Sequence, residues 1–152
     1  MTNLAMIDSM SKTVTSAERF ERTGVPAEAN AATRARDDFA RWLDNTFDLD
    51  PDKASDLVLA IYEALANVAE FAYLTSGYVG TMDLSAAHDA HDATLMVTVA
   101  DRGRWRTAPS HPADRSRGRG IALMKALSDR ASIQTSTTGT TVRLEWVGIH
   151  RR

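Results

Sequence analysis

Ser55–Tyr73, SDLVLAIYEALANVAEFAY, is the stretch whose reading decides the fold. Leu57, Val58, Ile61, Leu65 and Val68 recur at helical spacing and form one apolar stripe. Asp50-Pro51 upstream supplies a start signal: a short polar side chain before a proline, which the first turn tolerates. Glu63 and Asn67 stand four residues apart, so they stack on one face of that helix. A carboxylate and an amide placed there suit a proton acceptor and a hard-cation ligand. A polar pair on a solvated helix face has the same spacing, so the rest of the chain has to decide.

Working outward, Gly24-Val25-Pro26 breaks the chain before an alanine-rich helix at Ala27–Leu43, whose Phe39, Trp42 and Leu43 share a face. Val14–Thr23 is a weakly alternating strand, preceded by a mobile lead-in over residues 1–13. Asn45–Asp52 is a polar connection. Beyond the central helix, Thr75–Gly80 reads as a loop. Val79–Ser85 and Thr94–Ala100 read as strands joined by a long turn at Ala86–Ala93. Arg102–Arg119, with two prolines and many arginines, is long enough for a lid. Ile121–Leu127 is helical, and Ser132–Ser136 with Thr140–Val147 make a hairpin around Thr138-Gly139. Helices first, then strands with one inserted helix, predict an α+β sandwich rather than a doubly wound sheet.

Composition narrows the function classes. With 152 residues the chain is read as one domain, residues 14–152, able to bury a real core. Apolar residues make up 43% and charged residues 25%, ordinary for a globular protein. A formal net charge of -2 provides no global field toward nucleic acid or lipid. The absence of cysteine removes disulfides, thiol catalysis and thiolate zinc sites. No apolar run is long enough for a membrane span, and MTNLAMIDSMSKTVTS lacks the order of a secretory signal, which predicts a cytoplasmic protein.

Three further stretches carry possible chemistry. Asp101-Arg102-Gly103 ends an apolar strand, where a carboxylate can accept from an exocyclic amine and the glycine admits a planar ligand; a plain turn has the same composition. Gly118-Arg119-Gly120 precedes a helix, so free N–H groups could face phosphate there, or it is a flexible lead-in. It is neither a P-loop nor a dinucleotide fingerprint. Arginines at 102, 104, 106, 115, 117 and 119 make the lid basic and suited to phosphate, but a nucleic-acid surface would want interleaved aromatics, and only Trp105 is present. His88-Asp89-Ala90-His91-Asp92 has metal-ligating residue types, but it reads as the tip of a hairpin.

Taken together and in order, these segments resemble the GHKL (HATPase_c) ATPase superfamily and, more narrowly, the bacterial anti-sigma factor serine/threonine kinases of the RsbW type. Leu59–Asn67 (LAIYEALAN) is similar to the N box, Val99–Trp105 (VADRGRW) to the first glycine box and Arg117–Leu127 (RGRGIALMKAL) to the second. Gly139–Leu144 (GTTVRL) is similar to the closing strand motif. The resemblance spans residues 25–147. It implies a two-layer sandwich of the GHKL (Bergerat) type, a mixed, mostly antiparallel sheet with helices on one face and Mg-ATP between the layers.

By the same resemblance, Asp101 would bind the adenine amine with Gly103 admitting the base, supported by Thr140 or Thr141. Asn67 would ligate magnesium. Arg117, Gly118 and Gly120 of the lid (102–119) would meet the phosphates, and Glu63 would be the general base. The implied partners are an alternative sigma factor and an anti-anti-sigma (STAS-type) protein phosphorylated on Ser or Thr, with the kinase as a homodimer in a bacterial stress response. Two departures are visible. Phe71 stands where relatives often carry histidine four residues after the asparagine, and Trp105 replaces a glycine. They keep open a second reading, an ATP-gated protein-binding module with little phosphoryl transfer.

Overall fold

The computed structural model describes residues 18–74, 76–104 and 112–152, with the backbone alone over 112–119. The expected lead-in at 1–13, the start of the 14–23 strand and lid residues 105–111 lie outside the described residues. The elements are β1 (Arg19–Pro26), α1 (Ala29–Thr46), β2 (Phe47–Asp48), α2 (Pro51–Asn67), β3 (Thr81–Asp89), β4 (Thr94–Asp101), α3 (Pro112–Leu127), β5 (Arg130–Ser136), β6 (Gly139–Trp146) and β7 (His150–Arg151). A π-helical turn, Val68–Ala72, extends α2 directly.

Five strands pair in the order β1-β3-β4-β6-β5, and all four ladders are antiparallel. The inward residues of β4 (Leu95, Val97, Val99) and β6 (Val142, Leu144, Trp146) are buried, whereas their neighbours along each strand are not. That period-two pattern belongs to a sheet covered on one face. The cover is helical, and α2 packs between α1 and α3. Leu57, Ala60, Ile61, Ala64 and Leu65 make the buried side of α2, at the spacing that one helix face requires.

On α1, Ala31, Ala32 and Ala35 are buried, and small side chains of this kind let a helix approach its neighbours closely. Its far end carries bulk instead. Phe20, Phe39, Trp42, Phe47 and His88 form a chain of ring contacts with centroids 4.7–5.9 Å apart, several of them edge-on.

Four features depart from the sequence reading. The β3–β4 hairpin is tight rather than long: β3 runs to Asp89, because Ala86 and His88 continue the inward alternation with side chains too small or too polar to register as apolar. His88 is therefore no part of a hairpin tip. It is buried, with Nε2 2.7 Å from the Ile149 carbonyl. The tip is closed instead by Asp89, whose Oδ1 accepts from the N–H groups of His91 and Asp92.

Helix α1 runs on to Thr46, so the expected polar connection shrinks, and β2 there pairs with β7. Two-residue strands carry too short a pattern to show in sequence. Helix α3 starts at Pro112, so 112–119 is helical although expected in the lid loop. A proline in the first turn loses no needed N–H, Ala and Arg are good helix formers, and an Asp in the first turn suits the helix dipole. Among the described residues no helix is long and apolar enough to cross a membrane.

Candidate nucleotide site

A cavity of about 570 Å³ opens between α2, α3 and the β5–β6 hairpin. Its apolar side is Ile121 and Met124 of α3 with Ile133 and Val142 of the sheet; its polar side is Asn67, Thr140, Thr135, Ser136 and the rim residue Arg104. An apolar slot with a few polar groups at one end is the usual form of a small-molecule site. A groove of similar size, about 560 Å³, runs between α1 and α2, but Leu43, Phe47, Leu49, Val58 and Leu59 dominate it and no buried polar group faces it.

Burial of polar groups favours the first cavity. Among the described residues the buried polar side chains are Asn67, His88, Asp101 and Thr140. Asn67 and Thr140 line this cavity, and Asp101 is the cross-strand partner of Thr140. A fold accepts the desolvation of such groups only where hydrogen bonds or a ligand compensate it.

Helix α2 delivers Glu63 and Asn67 one turn apart on the face turned to α3. Gly120 of α3 lies directly over both. A Cβ there would stand 2.9 Å from Asn67 Nδ2, 3.2 Å from its Oδ1 and 3.4 Å from Glu63 Oε2. Asn67 is 5% exposed, and its Nδ2 has no hydrogen-bond partner among the described residues. The residue also sits where α2 gives way to the π turn, a feature frequent at functional sites. The orphaned Nδ2 donor calls for an acceptor such as a phosphate oxygen, while Oδ1 of the same amide, beside a carboxylate, is the atom a hydrated divalent cation would take.

The other expected residues fall as follows. Asp101 faces the helix layer, at the inward end of β4, but it sits just beyond the cavity wall, beside a shallower depression shared with Thr138, Gly139 and Thr141. Its Oδ1 accepts from the Gly103 N–H at 2.9 Å. Gly103 is required by the protein's own chain: a Cβ there would lie 2.1 Å from the Ala72 carbonyl oxygen. Thr140 and Thr141 separate cleanly, because Thr140 opposes Asp101 on the inner face and Thr141 opposes Ala100 on the outer one. Thr141 is therefore not beside the cavity.

Gly118 and Gly120 lie inside α3, not ahead of it, so their N–H groups belong to helical turns rather than to a free helix start. The Arg117 side chain lies outside the described residues. Phe71 is buried in the π turn. The cavity wall at Thr135, Ser136 and Thr137 escaped the sequence reading, since a polar strand end looks the same whether it borders a cavity or solvent.

Gly120→Ala isolates the contact with α2. A helical Gly→Ala change is worth up to about 1 kcal/mol of helix stability, yet the methyl group must displace the Asn67 amide. The variant is expected to melt no lower than the parent while binding Mg-ATP about tenfold more weakly, a difference of about 1.4 kcal/mol. Thermal unfolding and calorimetric titration on the same sample check the two signs.

Residues 25–146 match the histidine kinase-like ATPase domain family, and the chain belongs to it. Its ATP-binding character follows from that membership. Within the family it stands with the RsbW-type GHKL proteins. The crystal structure of the RsbU and RsbW domains of Rv1364c from Mycobacterium tuberculosis superposes with a TM-score of 0.67 at 27% identity. That match covers 88% of this chain and 33% of the other, so the chain spans about a third of that protein's length.

Proposed function

We propose that the chain is an anti-sigma factor kinase: it binds Mg-ATP, holds an alternative sigma factor and phosphorylates a STAS-type anti-anti-sigma protein on Ser or Thr. The observation that carries this reading is the buried Asn67 amide, with Nδ2 lacking a partner, next to Glu63 and beneath Gly120. Asn67 Oδ1 would hold magnesium, which when bound supplies neutralisation of phosphate charge. Ile121, Met124, Ile133 and Val142 would take the apolar faces of the base, with Asp101 and Thr140 at its polar edge. Arg104 and Arg117 would add positive charge over the phosphates, and Gly118, inside α3, would let the phosphates approach that helix closely.

Phosphoryl transfer asks the protein mainly for positioning and charge stabilisation. Glu63 would accept the proton of the incoming hydroxyl as the oxygen attacks, so the base must stand where the acceptor protein reaches the site. Its partly exposed carboxylate, one turn from Asn67, meets that condition. A homodimer of one domain, residues 14–152, belongs to the same reading.

Phe71 favours a second reading. Buried at the fourth position after Asn67, it offers an apolar ring where relatives often offer an imidazole. Transfer would then be slow, and ATP would act chiefly to set partner affinity. Purified protein is incubated with radiolabelled Mg-ATP and a STAS-type acceptor, and partner binding is measured with and without nucleotide. Stoichiometric label on an acceptor Ser or Thr supports the kinase. Nucleotide-dependent partner binding without label supports the gated module. No Mg-ATP binding at all would sink both.

A further inference from the structure

Tyr73, which no motif singles out, joins three separate parts of the chain near Asp101. Its hydroxyl donates to the Thr81 carbonyl at the start of β3 at 2.5 Å and accepts from the Arg102 N–H, just past β4, at 3.0 Å. The ring lies against Gly80 so closely that a Cβ there would stand 2.1 Å from Cε1 and Cζ. Both the donor and acceptor capacity of the phenol are therefore used, and the ring has no room to swing toward β3.

What the hydroxyl holds is the Asp101–Arg102 peptide, directly before the one that orients the Asp101 carboxylate. Arg102 N–H is bonded to Tyr73, and the next N–H along, Gly103, is bonded to Asp101 Oδ1 at 2.9 Å. Gly103 is also wedged on the Ala72 carbonyl, the residue before Tyr73. The end of the π turn thus grips the segment after β4 twice, once through backbone packing and once through the phenol. A carboxylate whose oxygen is fixed by a gripped peptide keeps one orientation, and hydrogen-bond selectivity depends on orientation.

We propose that Tyr73 is a positioning residue for base selection, holding the Asp101–Arg102 peptide, next to the one whose N–H meets Asp101 Oδ1, so that Asp101 presents its carboxylate to a purine 6-amino group and rejects a 6-oxo group. The proposal rests on the reading of Asp101 as the group that meets the base. A carboxylate accepts from the amine of ATP but faces a carbonyl oxygen in ITP, so held still it discriminates between the two, and free to turn it does so less. Tyr73 touches no nucleotide in this scheme. It acts through the peptide alone.

The test compares Mg-ATP and Mg-ITP affinities by competition against a fluorescent nucleotide, for the parent protein, Tyr73→Phe and Asp101→Ala. Phenylalanine keeps the ring on Gly80 and removes only the two hydrogen bonds. Tyr73→Phe is expected to lose about five- to tenfold of the ATP-over-ITP preference, the scale of one net hydrogen bond, entirely through weaker ATP binding. ITP affinity is expected to stay at the parent value, which also reports that the variant is folded. A preference kept by Tyr73→Phe but lost by Asp101→Ala overturns the role of Tyr73 alone. Equal weakening of both nucleotides also overturns it, since a general structural defect acts that way. A parent with no preference, or one that Asp101→Ala leaves intact, overturns the base reading of Asp101 and this proposal with it.

Discussion

Glu63→Gln is expected to lower phosphoryl transfer to a STAS-type acceptor by about 10²–10⁴-fold, the range a positioned general base contributes. The amide matches the carboxylate in shape, so it keeps the contact with Gly120 and the packing of α2 on α3. What it cannot do is take a proton from the incoming hydroxyl. Mg-ATP affinity should therefore change by less than about threefold, since an interaction made only in the transition state affects rate and not ground-state binding. Single-turnover transfer at saturating ATP, beside equilibrium binding, separates the two quantities. Transfer at the parent rate would remove Glu63 from the reaction and favour the nucleotide-gated reading.

Asn67→Ala is expected to act on binding instead. The magnesium-dependent part of ATP affinity should fall by about 10- to 100-fold, as expected for losing a contact to a charged group worth about 1.5–3 kcal/mol. Stability should move the other way or not at all. The amide is buried with one atom unpartnered, and removing such a group relieves a desolvation cost. The usual large-to-small penalty is limited because the side chain borders a cavity and not the packed core. Calorimetric titration with and without magnesium, together with thermal unfolding, reads both effects. Equal magnesium dependence in variant and parent would mean that the amide is not a metal ligand, and its burial would need another explanation.

The two variants differ because the two side chains, one turn apart, have different surroundings. Glu63 is partly exposed and Asn67 is buried. An approaching protein hydroxyl can reach the first, whereas a small ligand already in the cavity is needed to reach the second. Gly120 keeps the two together. A side chain at that position would push the Asn67 amide aside.

The local structure of the site was legible from the chain itself. Apolar spacing over Ser55–Tyr73, with the Asp50-Pro51 start signal, gave the helix and put Glu63 and Asn67 on one face, because a period of 3.6 residues is a property of the local sequence. The apolar, β-branched run over Thr94–Ala100 similarly marked one central strand, and Thr140–Val147 was read as an arm of a hairpin. The ordered set of short motifs then pointed to the family, which no single motif could have done.

Tertiary structure decided everything that depends on which residues far apart in sequence become neighbours. Strand register chose Thr140 over Thr141 beside Asp101, since a shift of one residue turns a side chain to the opposite face. Helix packing set Gly120 on Asn67, and α3 reaches back to Pro112, where two prolines and many arginines had suggested a loop. Burial drew His88 into the core, and hydrogen bonding joined Tyr73 to Thr81 and Arg102. Local periodicity carries no record of such contacts. They arise when the buried polar groups of separate segments must be satisfied together.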